Sequence, residues 1–300
     1  MSTSQTVHAS TGQITDAKSR GHRQRRTGRA MVTYLVVFLF ILIVLLPFYW
    51  ILKSALSPRE QLFTIPPTYI PSPITLENFG ILVNQVPLFA YSRNSIIFAL
   101  LTTLITLILG FMAAYGFARI KFPGGHILLW ALVISVALPE IATVIPLYQI
   151  LNNLKLIDSV IGLTIVASGS LLPFTIWVFV AFIQQVPYEI EEAAIIDGAS
   201  LPQIIRHILI PVSAPALATM AVINFINAWN NLLYPLAFSS TPQSKTLSVA
   251  ITEIFQAREP WGRPWNLVSA LGVLMVIPVI MLVLFSQKAI VQGLTRGAVK

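Results

Sequence analysis

Long stretches without Asp, Glu, Lys or Arg alternate along the chain with shorter polar segments. Five stretches are uninterrupted, at 31–52, 94–118, 159–188, 208–244 and 264–287, and a sixth, at 122–154, is interrupted only by Glu140. A helix needs about 20 predominantly apolar residues to cross the hydrocarbon core of a bilayer, and each stretch is long enough for one crossing. The pattern therefore predicts an all-α membrane protein with six transmembrane helices.

The polar segment before the first stretch affects how that stretch is interpreted. Residues 1–30 are rich in Lys and Arg, and we expect them to form a flexible cytoplasmic arm, with 31–300 as the transmembrane domain. The alternative for 31–52 is a cleaved signal peptide, but the apolar region of such peptides has only about 7–15 residues. The longer stretch favours a retained membrane anchor.

The composition agrees with a membrane protein and narrows the possible chemistry. Hydrophobic residues make up 56% of the chain and charged residues only 10%, whereas about a quarter of residues are charged in ordinary soluble domains. The absence of cysteine excludes disulfides and thiolate sites. A net charge of +8 is also typical of proteins that bind nucleic acids. No nucleic-acid-binding motif accompanies the basic cluster, so we expect no nucleic-acid partner.

The distribution of Lys and Arg predicts the orientation in the membrane. With both termini in the cytoplasm, the larger share of these residues lies on the cytoplasmic side, as the positive-inside rule requires. We therefore expect a multi-pass protein of the cell membrane, plasma or inner, in contact with the lipid bilayer.

The segment between predicted spans four and five, which we call the 187–211 loop, has its own helical pattern. Pro187 suits the first position of a helix, acidic residues follow it, and Gly198 suits the end of that helix. Ser200 and Gln203 have the spacing of a capping box, which begins a second helix, and this helix should end just before Pro211. The sequence predicts a cytoplasmic helix–turn–helix.

Two interpretations of this loop remain open on physical grounds alone. A rigid projection with small Ala193 and Ala194 permits another protein to approach its backbone closely. The alternative is an amphipathic helix on the membrane surface, but such helices favour Lys and Arg on the polar face. Here the first helix carries acidic residues, which anionic lipid repels.

The same loop resembles the signature loop of ABC importer permeases, which reads EAA, three residues, G, nine residues, I, x, L, P. The matching positions are Glu192, Ala193, Ala194, Gly198, Ile208, Ile210 and Pro211, with Ile210 where leucine is usual. Further fragments resemble the maltose-type second permease of the carbohydrate-uptake branch: Asn94-Ser95, residues 113–119, Asp197-Gly198-Ala199, Trp229-Asn230 and residues 292–300.

The resemblance implies a set of partners and a division of labour. It implies a second permease subunit, two ATP-binding subunits and an extracytoplasmic solute-binding protein. The residues that it implies for coupling to the ATPase are Glu192, Ala193, Ala194, Asp197, Gly198, Ile208 and Pro211. ATP and Mg²⁺ belong to the partner chains, since no Gly-x4-Gly-Lys-Ser/Thr phosphate loop occurs here. No catalytic residue and no cofactor are expected on this chain.

Polar residues inside the predicted spans are candidates for a solute path. Asn224, Asn227 and Asn231 share a helical spacing near Trp229, and amides that face lipid are unfavourable. This face therefore meets either a solute path, which suits sugar hydroxyls and an apolar ring face, or helices of the partner subunit. Glu140 is either a functional carboxylate or a water-exposed residue at a bend near Pro139 and Pro146.

Two classes of function follow from these patterns. The first is the membrane half of an ATP-driven importer for a sugar, an oligosaccharide or another small polar solute. The second is a membrane-embedded enzyme, which requires paired acids or metal ligands within the spans. The four His residues show no ligand spacing, so no metal site is expected.

Overall fold

Among the residues that the structure describes, four helices are long and apolar enough to cross a membrane. The computed structural model describes the backbone of residues 6–256 and 262–298 and the side chains of 31–256 and 262–287. The four are the Met31–Ala55 part of α1 (Thr6–Ala55), α3 (Leu88–Arg119), α6 (Val160–Ile183) and the Trp265–Gln287 part of α13 (Trp265–Ala298). They correspond to predicted spans one, two, four and six.

The third predicted span is a bent pair of helices rather than one straight helix. Helices α4 (Gly125–Ser135) and α5 (Glu140–Asn153) meet at 102°. Pro139, with an extended ψ of 122°, precedes α5 and separates the two helices, because proline provides no N–H to continue the helical hydrogen bonds. Pro146 lies inside α5 without ending it.

The second bent pair contains the predicted fifth span. Residues Leu201–Val212 and α10 (Ala214–Asn230) meet at 79°. The first member consists of α8 (Leu201–Ile204), a π-helical turn (Ile205–Leu209) and α9 (Ile210–Val212). If each bent pair is one span, the described residues contain six candidate spans, which is the predicted number.

The prediction that the second loop helix ends just before Pro211 is wrong. Ile210 has helical dihedral angles (φ −59°, ψ −50°), and the helix continues to Val212. The wider π-helical turn precedes Pro211, and such turns change the hydrogen-bond register of a helix, so the missing N–H of proline does not end it there. The bend falls at Ser213, with φ −86° and ψ 2°.

Shorter helices lie between the spans. The first connecting segment contains a 3₁₀ helix (Arg59–Phe63) and α2 (Glu77–Gln85). The others are α7 (Tyr188–Ile196), α11 (Leu233–Phe238) and α12 (Leu247–Gln256).

The backbone helix that contains the first span begins well before Met31. The backbone is helical from Thr6 to Ala55 without a break, and the first proline of this helix is Pro47, so no proline interrupts residues 6–30. That these residues form a flexible cytoplasmic arm stays a prediction. From Met31 to Leu46 the side chains of α1 are exposed on every side, as expected for a helix surrounded by lipid or by other membrane helices.

Helices α3 and α6 form the most extensive helix–helix contact among the described residues. A Cβ atom added to Gly110 of α3 would lie 2.9 Å from Cγ2 of Thr175 on α6. The rings of Phe111 and Phe179 meet edge to face, with centroids 5.5 Å apart. Small residues permit close approach of membrane helices, and this contact fixes the centre of the bundle.

The buried side chains form two clusters. One includes Phe98 and Leu271, and the other includes Phe179. The second cluster also contains Ile204 and Leu209 of the 187–211 loop. This loop is therefore packed against the membrane-spanning helices and is not a free connection.

Asp158 joins two loops at one end of the bundle. Its carboxylate accepts hydrogen bonds from the backbone N of Ser240 (2.8 Å) and Thr241 (3.0 Å) and from the hydroxyls of Thr241 (2.7 Å) and Ser244 (2.5 Å). Its own N–H donates to the carbonyl of Phe238 (2.9 Å). Burial disfavours the ionised form, but the hydrogen bonds outweigh it and lower the pKa of Asp158 to about 2.

Replacing Asp158 with asparagine is expected to lower the melting temperature at neutral pH by about 2 to 4 °C, for a loss of about 1 to 2 kcal/mol. Asparagine tolerates the left-handed backbone at this position (φ +58°), so the substitution removes mainly the charge. Because the folded pKa lies below the unfolded value of about 3.9, the stabilisation is present above pH 4 and is lost as the pH falls towards 2.

The measurement is thermal unfolding of the full-length chain in detergent between pH 2 and pH 7, with Glu60→Gln as the control at an exposed acid. The difference between Asp158→Asn and the original chain should shrink below pH 4. Equal melting temperatures at pH 7 would contradict the role of this carboxylate.

Candidate functional site

The 187–211 loop begins with α7, whose boundaries follow from local signals. Pro187 precedes the helix, and Glu189 and Glu191 lie in its first turn, where the helix dipole favours negative charge. The helix ends before Gly198, which has a φ of +83°. Glycine adopts this left-handed conformation without the penalty that a Cβ atom imposes.

Two backbone hydrogen bonds close the turn after α7. Gly198 N donates to Ile195 O (3.0 Å), and Ala199 N donates to Ala194 O (2.9 Å), which is the Schellman arrangement. The next helix then begins at Leu201, after Ser200. The side chain of Gln203 accepts hydrogen bonds from Ser200 N (2.7 Å) and Ser200 Oγ (2.8 Å). The turn is thus held by bonds on both sides.

A buried ion pair fastens α7 to the end of α3. Arg119 Nε lies 2.7 Å from Glu191 Oε1, and the two side chains are only 10% and 1% exposed. Arg119 Nη2 also donates to the carbonyl of Val186 (2.8 Å), and its guanidinium lies over the ring of Tyr188, 5.6 Å from the centroid. One side chain of α3 therefore contacts three residues at the start of the loop.

The sequence did not indicate this pair. Arg119 belongs to a fragment of the family resemblance and Glu191 to an acidic first turn, but they are 72 residues apart. No spacing rule relates residues on different helices, so only the folded chain brings them together. Glu191 is buried, whereas its neighbour Glu192 is exposed.

Most of the coupling residues implied by the resemblance lie on one exposed surface. Glu192, Ala193, Asp197 and Gly198 are exposed. Beside them, Ile196, the last residue of α7, is 85% exposed. The surface therefore combines negative charge, small side chains and an uncovered apolar group.

The remaining residues of this set lie at the edge of that surface or behind it. Ala194 and Ile208 are half-buried against the second core cluster, and Pro211 is exposed. A shallow pocket of about 310 Å³ lies in the angle between the two loop helices. Its lining comprises Asp197, Gly198, Ala199, Gln203, His207 and Ile208.

The three asparagines singled out in the sequence have three different environments. Asn224 is buried, and its Nδ2 donates to Thr175 Oγ1 on α6 (3.1 Å). Asn227 is exposed, and its Nδ2 donates to the carbonyl of Ile223 (2.9 Å). Asn231 follows the end of α10, and its Oδ1 accepts from Tyr234 N (3.1 Å). They do not form one continuous polar face, because α10 ends at Asn230.

Trp229 is buried between helices. Its Nε1 donates to the carbonyl of Met275 on α13 (3.1 Å), and its ring stacks on Phe225 with centroids 5.8 Å apart. The indole therefore links α10 to α13 and presents little surface to any cavity of this chain.

Glu140 lies at the bend of the third span. It is the first residue of α5 and is exposed, so its carboxylate lies where the helix dipole favours it. Both interpretations of Glu140, a functional carboxylate and a water-exposed residue at the bend, stay predictions. Among the residues that the structure describes, no group of three His, Asp or Glu side chains has the arrangement of a metal site.

Comparison with known proteins agrees with these features. The profile of the family described as "Binding-protein-dependent transport system inner membrane component" matches residues 106–296. The trehalose transport system permease protein SugB of Mycobacterium tuberculosis is 36% identical over 256 residues, covering 85% of this chain and 92% of that protein. The trehalose/maltose transport system permease protein MalG of Thermococcus litoralis is 34% identical over 271 residues, covering 87% and 94%.

A solved structure shares the fold. A chain of a bacterial ABC transporter involved in the import of the acidic polysaccharide alginate superposes with a TM-score of 0.74 at 21% identity, covering 86% of this chain and 95% of that chain. The profile match, the two relatives and the helical membrane architecture agree, and the chain belongs to the family of binding-protein-dependent transport system inner membrane components.

Proposed function

We propose that this chain is a transmembrane subunit of an ABC importer that takes up a sugar or oligosaccharide, pairs with a second permease subunit and receives solute from an extracytoplasmic binding protein. The substrate class rests on the relatives, two of which carry trehalose or maltose in their names. The family to which the chain belongs is a family of transport components, so the alternative of a membrane-embedded enzyme finds no support.

The observation that carries the proposed mechanism is the exposed surface of the 187–211 loop. The surface carries an acidic side chain at Glu192 and a small side chain at Ala193, and it ends at the rigid turn at Gly198. A protein groove that offers basic groups and an apolar contact for Ile196 complements it. We infer that two cytoplasmic ATP-binding subunits supply this groove, with ATP and Mg²⁺ bound on those chains.

The ion pair gives a physical route for coupling. A force applied to α7 acts on Arg119 through Glu191 and so on α3, which packs along its length against α6. Movement of the ATP-binding subunits then tilts α3 and α6 together, because their contact leaves no space for sliding at Gly110. In such a mechanism, the two conformations of the transporter differ by a rigid-body movement of helices, and nucleotide binding favours one conformation over the other.

The loop must lie in the cytoplasm for this mechanism, which agrees with cytoplasmic N- and C-termini. The exposed polar candidates for the solute path are Glu140 and Asn227. We infer that Asn224 and Trp229 hold helices in place, because each is buried and bonds to a neighbouring helix, and that Asn231 holds the start of α11.

Replacing Glu192 with lysine is expected to reduce uptake of radiolabelled trehalose more than tenfold while membrane insertion and ATP hydrolysis by the assembled transporter continue. The reversed charge opposes basic groups in the groove, and the exposed side chain has no structural partner to lose. Uptake is measured in cells that express all subunits, with membrane fractions to quantify insertion. The matched control is Glu60→Lys, an exposed acid outside the loop. Unchanged uptake by Glu192→Lys would contradict docking at this surface.

A further inference from the structure

Lys53, a largely buried lysine at the end of the first span, has no anionic partner among the side chains that the structure describes. Lys53 is 4% exposed, and its ammonium lies over the ring of Trp50, 5.3 Å from the centroid. Within residues 31–256 and 262–287, its ammonium takes part in no ion pair or hydrogen bond. The ammonium is not among the fully buried polar atoms, and a cation without a carboxylate beside it favours an anionic ligand that enters from outside.

Lys53 lines an open pocket of about 580 Å³. The pocket lies between the end of α1, the 3₁₀ helix, α12 and the start of α13. Three of its walls are aromatic side chains that are about half-exposed, and two of its polar groups are hydroxyls: Trp50, Phe63, Trp265, Ser54 and Ser269. The pocket thus offers one cation, two hydrogen-bond donors and apolar walls to a ligand that enters from outside.

The position along α1 places this pocket at the level of lipid headgroups. The helix rises about 33 Å between Met31 and Lys53 at 1.5 Å per residue, which is about the thickness of the hydrocarbon core. Trp50 and Trp265 fit this level, because tryptophan is enriched at the interface between membrane and water.

An apolar groove on α1 leads to the same point. It has a volume of about 350 Å³ and is lined by α1 side chains alone: Phe38, Ile41, Leu42, Leu45, Leu46 and Tyr49. Leu42, Tyr49 and Lys53 are spaced seven and four residues apart, so they lie on one face of the helix. A ligand that lies along this face needs an apolar part beside residues 38–49 and an anionic group beside Lys53.

We propose that this face of α1 binds an anionic phospholipid, with the headgroup phosphate at Lys53 and an acyl chain along the groove. A neutral sugar in the same pocket can stack on the aromatic side chains and bond to the hydroxyls. It does not neutralise the ammonium of Lys53, and it has no apolar chain to fill the groove. A helix of another protein fills the groove but leaves the ammonium unpaired unless it brings a carboxylate to this level. Only a lipid supplies the anion and the apolar chain in one molecule.

The test measures which lipid the purified full-length chain retains. The chain is mixed in detergent with equal amounts of palmitoyl-oleoyl phosphatidylglycerol and the corresponding phosphatidylcholine, and bound lipid is counted by native mass spectrometry. We expect at least a fivefold preference for phosphatidylglycerol, a ratio near one for Lys53→Gln, and a preserved preference for Lys53→Arg. The matched control is Lys155→Gln, which changes an exposed lysine.

A second measurement does not depend on the folding of Lys53→Gln. Brominated phosphatidylglycerol should quench the tryptophan fluorescence of the original chain more strongly than that of Trp50→Phe. Equal retention of both lipids, or an unchanged preference in Lys53→Gln, would overturn the proposal. So would displacement of bound phosphatidylglycerol by millimolar glucuronate, since that result identifies an acidic solute as the ligand.

Discussion

Replacing Glu191 with glutamine is expected to reduce sugar uptake more than tenfold in cells that express all subunits of the transporter. The substitution removes the negative charge beside the buried guanidinium of Arg119, which then has only uncharged partners: the amide oxygen of the glutamine, the carbonyl of Val186 and the ring of Tyr188. Breaking a buried ion pair by removing one partner costs about 3–5 kcal/mol. Because this pair joins α7 to α3, we expect its loss to loosen the connection between the docking surface and the spans.

The control for this prediction is Glu189→Gln, which removes an acid from the same turn of α7 but at an exposed position. Uptake and backbone hydrogen exchange of residues 187–196 are measured for both variants. Exchange should rise in Glu191→Gln and stay unchanged in Glu189→Gln. Arg119→Lys retains the charge but cannot make the same set of contacts, so we expect an intermediate loss. If Glu191→Gln shows faster exchange but normal uptake, the ion pair stabilises α7 without being needed for coupling. That result would contradict the proposed route.

Replacing Gly198 with tryptophan is expected to abolish coupling between ATP hydrolysis and uptake while the chain still inserts into the membrane. A side chain at this position meets no atom of the chain within 4 Å of its Cβ, so the bulk projects into the space that a docked subunit needs. The left-handed backbone adds a cost of about 1–2 kcal/mol for any residue with a Cβ atom.

The variant Gly198→Ala separates these two effects, because alanine has the same backbone cost without the bulk. We expect Gly198→Ala to retain most of the uptake and Gly198→Trp to lose it, together with copurification of the ATP-binding subunits. Equal losses in both variants would show that backbone strain alone is responsible, and full uptake by Gly198→Trp would contradict docking at the turn.

Much of the 187–211 loop follows from local interactions. Pro187 at the start of α7, Gly198 at its end and the Ser200–Gln203 hydrogen bonds act within a few residues, so their positions in the sequence predict the turn. The end of the second helix could not be predicted in this way. The residue before a proline disfavours helical angles but can adopt them, and the π-helical turn before Pro211, whose Leu209 is buried in the second core cluster, has no signal in the local sequence.

The environments of the polar residues in the spans could not be predicted from sequence spacing. Spacings of three and four residues predicted one shared helical face for Asn224, Asn227 and Asn231. A helix presents such a face only where the helix continues and where its neighbours leave space. The bond between Asn224 and Thr175 and the end of α10 at Asn230 are decided by α6 and by the chain beyond the helix. Spacing along one helix carries no information about either.

By itself, the sequence determined that the chain crosses the membrane, the number of candidate spans, the turn at Gly198 and the family. These properties depend on hydropathy over about 20 residues, on single-residue backbone preferences and on a contiguous motif. Only the tertiary structure decided that Glu191 is buried against Arg119, that Asp158 joins two distant loops and that Lys53 faces a pocket without an anion. These contacts join residues far apart in the chain, and their energies come from burial and from partners that exist only once the helices have packed.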